Sequence, residues 1–308
     1  MAQDRDGPDR TKYSLGPLVL TVESSVRRER FERWLPRTSL ASDAHGLADL
    51  WVGASDKRDP SVGTARLVAG GVAVWVAETS SRASLLCPAG HAELDLTERW
   101  GRVCPSAASI DGANENAFDL GPLLNVCAAL LLGRAGVVMA SASAVIDMTG
   151  GGWVIVGPPD ERSRLVREFV RDGCDYVSDD QVLIRGARHQ AGMLLVESWH
   201  RSARAEAESA LPTEKWKPLA QLRGLMLTRS VASRTPLAWR TVTRDQALAS
   251  LIDACPYLSS DGAMTNPLRE LLASCVTRPA IAAILSRTGG HSSEGVMKRL
   301  AEAIDEIL

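Results

Sequence analysis
The residues whose types and order could do chemistry cluster between Ser141 and Asp180. A short apolar strand, Trp153-Val154-Ile155-Val156, runs into Gly157-Pro158 and a helix follows, with Pro159-Asp160-Glu161-Arg162-Ser163-Arg164 standing between them. Nucleoside triphosphates bind at such a junction when it carries Gly-x-x-x-x-Gly-Lys-[Ser/Thr]. The glycines let backbone N–H groups wrap the phosphates, the lysine neutralises them and the hydroxyl holds magnesium. Farther on, Ser178-Asp179-Asp180 sets two carboxylates at a strand end, suited to coordinating magnesium and to taking a proton from a substrate hydroxyl. By residue type alone, the same triplet is a turn between two short strands that satisfies local backbone amides.

The elements that must position these groups read as alternating strands and helices. Val137 to Ile146 and Trp153 to Val156 are expected as strands, Glu161 to Arg171 as a helix, and Tyr176 to Ser178 and Gln181 to Ile184 as further strands, an order that signals an α/β core. Thr149-Gly150-Gly151-Gly152 precedes a strand and reads as a hairpin turn, not a dinucleotide loop. Before this core, Leu18 to Val22, Leu50 to Val52, Ala65 to Ala69, Val72 to Ala77 and Ala83 to Leu86 predict a mostly antiparallel sheet with a tight turn at Gly70-Gly71. Ser25 to Trp34 predicts a charged helix stopped by Pro36. Pro88 to Asn116 is polar and turn-rich, and is expected to be a joint or covering loop. Leu120 to Leu132 is apolar on nearly every side, as in a buried helix. Strands are expected at Leu194 to Ser198, Leu222 to Thr228 and Ile281 to Leu285, and helices at Arg244 to Ala254, Pro267 to Cys275 and Ser293 to Ile307.

This succession of motifs resembles the HPr kinase/phosphorylase-like family. Its members carry a strand ending His-Ala-Ser-Ala-Val, a second strand ending in a Gly-Pro-Ser-Gly-x-Gly-Lys-Ser loop, a helix, a glycine and then Ser-Asp-Asp. The chain offers Ser141-Ala142-Ser143-Ala144-Val145, Gly157-Pro158, Gly173 and Ser178-Asp179-Asp180 at matching separations, with a loop one residue shorter. More loosely, Leu222 to Leu308 is similar to HPr kinase-related proteins encoded beside peptide natural-product pathways. The resemblance implies an α/β fold with an HPr kinase/phosphoenolpyruvate carboxykinase-like P-loop core and mixed sheet, a small β-rich N-terminal region and a helical C-terminal part. Read along the chain, the expected division is a disordered tail over 1–12, a β-rich N-terminal region over 13–116, the HPr kinase-like P-loop core over 117–243 and a helical C-terminal region over 244–308.

The resemblance also assigns roles by position. Asp179 and Asp180 take the catalytic positions, Gly157, Arg162 and Ser163 the nucleotide positions, and Ser163 and Asp179 the magnesium positions. Ser178 completes the triplet, and Lys215 and Lys217 stand where active relatives use basic residues near the phosphates. Lys215-Trp216-Lys217 reads as readily as an exposed loop whose tryptophan packs down. The departures all touch phosphate handling: Arg162 replaces the lysine, Glu161 the second glycine and Ser141 the histidine. Asp160 and Glu161 bring negative charge to the place of the triphosphate, in a loop stiffened by Pro158 and Pro159. Arginine's planar fork does not replace a lysine point charge at the same geometry.

Composition narrows the partners. Against 37 Asp plus Glu stand 35 Lys plus Arg, a formal net charge of −2, so no global field steers the 308-residue chain to nucleic acid or an anionic membrane. The run Arg27 to Trp34 reads as a solvated helix with internal ion pairs. Six scattered cysteines without a Cys-x-x-Cys pair read as reduced core thiols, and His189 and His200 lack ligand partners at metal spacing. Ser143 lacks the Gly-x-Ser-x-Gly setting of a nucleophile. Met1 to Lys12 does not resemble a signal peptide, and Leu123 to Leu132 is too short to span a bilayer, so a cytoplasmic location is expected.

The leading expectation is a non-phosphorylating binding or regulatory component with no cofactor, acting on a protein or peptide partner, with homo-oligomerisation open. An atypical ATP- and magnesium-dependent serine kinase is the first alternative. A repurposed enzyme using Asp179 or Asp180 as general base is the second.

Overall fold
The computed structural model describes residues 10–15, 17–23, 46–53, 67–69, 72–76, 81–106, 120–187, 190–199, 211–231, 237–258 and 261–286, with 295, 298, 300 and 302. The described residues form a mixed α/β protein with two mixed sheets and four helices. The chain divides into two units, one of residues 1–135, 202–205 and 259–264, the other of 136–201, 206–258 and 265–308. The expected helix at Ser25 to Trp34, the Gly70-Gly71 turn, His189, His200 and most of Ser293 to Ile307 lie outside the described residues.

The first unit holds an eight-stranded sheet of β1 (Arg10–Leu15), β2 (Leu18–Glu23), β3 (Ala48–Val52), β4 (Leu67–Ala69), β5 (Val72–Val76), β6 (Arg82–Cys87), β7 (Gly90–Asp95) and β8 (Trp100–Pro105), in the order β1-β2-β3-β8-β7-β6-β5-β4. The sheet is mixed, because β3 pairs parallel with both β2 and β8. Strands β7 and β8 stand where a joint was expected. In β7 and the turn after it, Ala92, Leu94 and Leu96 are buried while Glu93 is exposed. A half-buried strand alternates polar with apolar residues and so mimics a polar loop in average composition. Helix α1 (Gly121–Arg134) lies on this sheet, opened by proline in its first turn and buried on nearly every side as its composition demands.

The second unit is built on a nine-stranded sheet. Its strands are β9 (Val137–Ala140), β10 (Ser143–Ile146), β11 (Gly151–Val156), β12 (Asp175–Ser178), β13 (Val182–Gly186), β14 (Leu194–Ser198), β15 (Leu219–Val231), β16 (Leu237–Thr241) and β17 (Ala280–Ser286), with helices α2 (Pro159–Arg171), α3 (Arg244–Asp253) and α4 (Gly262–Cys275). Helix α4 belongs to both units, since its first residues fall in the first. The long β15 carries β11 parallel along one side and, on the other, β14 antiparallel near its start and β17 parallel near its end.

The single strand expected over Val137 to Ile146 is two strands broken at Ser141-Ala142. β9 pairs with β13, with Ala140 opposite Val182, whereas β10 pairs with β12, with Ala144 opposite Ser178. Ser141-Ala142 and Asp179-Asp180-Gln181 are therefore neighbouring corners at which the chain passes from one ladder to the other. The apolar stripe of α2, Leu165, Val166 and Phe169, packs with Val145, Trp153, Ile155, Tyr176, Met226 and Ile281 into one fully buried cluster. Burying such side chains contributes roughly 1.5–3 kcal/mol each.

Candidate functional site
Strand β11 ends at Val156 and α2 begins at Pro159, so only Gly157 and Pro158 connect them. The loop expected over Pro159 to Arg164 is the first turn and a half of helix. Proline is favoured at the first helical position, where its missing N–H is no loss, and Asp160 and Glu161 favour the positive end of the helix dipole. Gly157 sits at φ +143°, and a Cβ there would collide with Thr228 Oγ1 of β15. This glycine serves a close approach of backbone to β15. At the far end, Gly173 at φ +97° closes the helix, its N–H donating to Val170 O and that of Cys174 to Phe169 O.

Arg162 occupies the buried stripe of α2 together with Leu165, Val166 and Phe169. Its side chain is 3% exposed. Nη1 donates to Ser141 O, and Nη2 lies 3.4 Å from Asp180 O and 3.8 Å from the Asp180 carboxylate. The guanidinium thus ties the two chain corners together. Ser143 Oγ adds a second tie by donating to Asp179 O at 2.7 Å. Burial pushes the Arg162 pKa down, and the charges of Asp180 and Asp179 pull it back. Nε of Arg162 and Oε2 of Glu161 are buried with no hydrogen-bond partner among the described residues.

The Ser178-Asp179-Asp180 triplet is a turn whose Asp180 N–H donates to Ser178 Oγ at 3.3 Å. The Asp180 side chain is 72% exposed. Ser163 is half-buried on α2, and its carbonyl accepts from Arg167 Nε. Lys215 and Lys217 stand away from this end of the sheet: Lys215 Nζ donates to Gly173 O at 2.8 Å, and both ammonium groups lie 3.8 Å from the Asp175 carboxylate. Asp175 begins β12 and Ser178 ends it, so these lysines serve the opposite end of the strand. Between them Trp216 packs down as one sequence reading required, its Nε1 donating to Val177 O.

The turn joining β10 to β11 is fixed by a buried carboxylate. Asp147 accepts from the N–H and hydroxyl of Thr149, from Gly151 N–H, from Trp153 Nε1 and from Arg223 Nη1 at 2.6–3.0 Å. Burial alone would raise its pKa, but the hydrogen bonds from Thr149, Trp153 and Gly151 outweigh burial and hold it below the ordinary carboxylate range.

Beside Gly157 opens a cavity of about 720 Å³, within the size range of small-molecule pockets. Its floor is the end of the sheet where Val156, Leu227 and Ala282 of β11, β15 and β17 lie side by side. Pro159 and Arg162 form one wall, and Gln246, Ala249, Ser250 and Asp253, which share a face of α3, form the other. Helix α3 is held by a capping box between Thr243 and Gln246 and by Ser141 N–H donating to Ala254 O at 2.7 Å. The structure brings Ser141, Gly157 and Arg162 to this cavity, whereas Ser163, Ser178, Asp179, Lys215 and Lys217 do not line it. Thr228, Arg229, Thr241, Ser250 and Asp253 do, and sequence reasoning passed over them. Their only sequence signal is a polar residue at the end of an apolar strand or on one helix face.

No described residues form a cluster of three or more His, Cys, Asp or Glu able to hold a metal ion, and no described helix is long and apolar enough to cross a membrane. No family model and no curated protein matches the chain. Among solved structures, the Hpr(Ser) kinase/phosphatase from Coxiella burnetii is similar at 8% identity over 55% of this chain and 95% of that one, with a TM-score of 0.28.

Proposed function
We propose that the chain is a kinase-derived protein with an HPr kinase-like core that does not transfer phosphate and works as a binding or regulatory component on a protein or peptide partner. The observation that carries the reading is Arg162. Where an active site would present a lysine to phosphate, this side chain is buried and spends its Nη groups on the carbonyls of Ser141 and Asp180. Two further features support it. With helix from Pro159 onward there is no loop whose amides could converge on a phosphate. Asp160 and Glu161 also stand on the helix's first turn. A phosphate charge brought within about 4 Å of either costs about 4 kcal/mol at an effective dielectric of ~20. On this reading the residues do not fit a magnesium-bound triphosphate, since Arg162 already neutralises the Asp180 corner. The kept Ser-Asp-Asp turn then survives because it shapes that corner.

The test is calorimetric titration of the full chain with magnesium-ATP. No binding in the micromolar range is expected. Micromolar binding that Asp179→Ala weakens, or phosphate appearing on a partner protein and vanishing with Asp180→Asn, would restore the kinase reading. A precursor peptide and modifying enzymes encoded beside this gene would place the partner in a peptide pathway; phosphotransferase components there would point to carbon regulation instead.

A further inference from the structure
The cavity beside Gly157 is lined by charges of both signs that are not paired with each other. Arg229 is exposed at the carboxyl end of β15, and Asp253 is exposed at the end of α3. Neither side chain has a hydrogen bond or ion pair among the described residues, although both border the same space. Arg162 lines it as well, with its buried Nε lacking an acceptor. Between these groups the lining combines apolar Val156, Leu227, Val242 and Ala249 with polar Thr228, Thr241, Gln246 and Ser250. Opposite charges that share a cavity without meeting are satisfied by a ligand that carries both and spans the gap. With Arg162 committed to the Ser141 and Asp180 corner, Arg229 and Asp253 balance each other across the cavity, which suits a ligand of no net charge far better than a polyphosphate.

From this we infer that the cavity is a binding site for a small zwitterion with a free carboxylate, a free ammonium and an apolar body. The carboxylate sits at the arginine side, with Arg229 as its main partner, and the ammonium sits at Asp253. The apolar body rests on Val156, Leu227 and Val242. Convergent groups of opposite charge beside an apolar surface fix a ligand's orientation in this way. The inference rests on the non-phosphorylating reading, because a triphosphate would claim the same end of the sheet. A free amino acid and the two ends of a dipeptide offer the same chemistry.

The experiment titrates the full chain by calorimetry with L-leucine and, separately, with L-leucyl-L-leucine. N-acetyl-L-leucine, which lacks the ammonium, and L-leucinamide, which lacks the carboxylate, serve as controls. One of the two zwitterions is expected to bind, and which one decides between a single amino acid and a peptide. Each blocked analogue is expected to bind at least about tenfold more weakly, as are the zwitterions to Arg229→Gln and Asp253→Asn, the loss expected when one partner of a charge pair is removed. Both positions are exposed, so amide hydrogen exchange over the second unit unchanged from the wild type shows that the variants fold. Absence of binding by both zwitterions, or binding indifferent to both substitutions, overturns the inference. Magnesium-ATP titrated into the same samples tests the underlying reading separately: its binding would sink that reading, whereas its absence together with no zwitterion binding sinks the inference alone.

Discussion
Replacing Arg162 by methionine keeps an unbranched apolar stem on the buried stripe of α2 and removes the five donors. The hydrogen bond to Ser141 O, from a charged donor to a carbonyl, is worth about 1.5–3 kcal/mol. The contact with Asp180 O at 3.4 Å is long and adds about 0.5 kcal/mol. The ion pair at 3.8 Å to a carboxylate that is 72% exposed adds at most about 1 kcal/mol. Against this, methionine removes the unpaired Nε and the cost of keeping a charge out of water, which returns roughly 1–2 kcal/mol. The net expectation is a loss of about 2 kcal/mol, localised to the two corners. Because the chain forms two units, a single global unfolding curve is a poor reporter. Amide hydrogen exchange read by mass spectrometry over 139–146 and 176–184 is the suitable assay, and 2 kcal/mol corresponds to about 30-fold faster exchange there. Arg162→Lys, which restores the residue type of an active phosphate loop, should also loosen both corners, because one ammonium cannot copy the fork, and should gain no affinity for magnesium-ATP. Exchange unchanged within about twofold in the methionine variant, or micromolar nucleotide binding by the lysine variant, would refute the clamp.

Three other outcomes follow from the geometry. Gly157→Ala should destabilise the second unit by about 1–3 kcal/mol through its collision with Thr228 Oγ1, and adding Thr228→Ala should recover part of that loss in a double-mutant cycle by chemical denaturation. For Asp147, whose folded pKa lies below the ordinary value, the stabilisation is fully present above the unfolded pKa of about 3.9 and is lost as pH falls through the folded value. Asp147→Asn should therefore cost about 2 kcal/mol at neutral pH, and its stability should fall less than that of the wild type between about pH 5 and pH 2; parallel pH curves would exclude the carboxylate as the cause. Burial pushes the thiols of Cys174 up to about 11 and of Cys255 and Cys275 up to about 12, so iodoacetamide at pH 8 should label half-buried Cys87 before these three, as peptide mapping would reveal.

How much of this protein was legible in its sequence differs from element to element. The strands at Leu194, Trp153 and Ile281 were readable because each holds a short continuous apolar run of strand length. Helix α1 was readable because a segment apolar on every side must be buried. Strands β7 and β8 were not, since their polar half lowers the local average, and β16 was missed for want of a long apolar run. The spacing of Arg162, Leu165, Val166 and Phe169 already puts the arginine on the buried face of α2, a signal hidden by comparing it with a lysine in a loop.

What the sequence determined by itself was local: residue types that cannot cradle a triphosphate, a glycine at the end of β11, and helices and strands with enough periodicity to declare themselves. Tertiary structure decided what those residues meet. Only the break at Ser141-Ala142 and the crossing of two ladders put carbonyl oxygens where the Arg162 guanidinium could bind them. Only the packing of α3 against the β15 edge gathered Arg229 and Asp253 around one cavity. Such contacts join residues far apart in the chain, and no local pattern encodes them because their partners are chosen by topology.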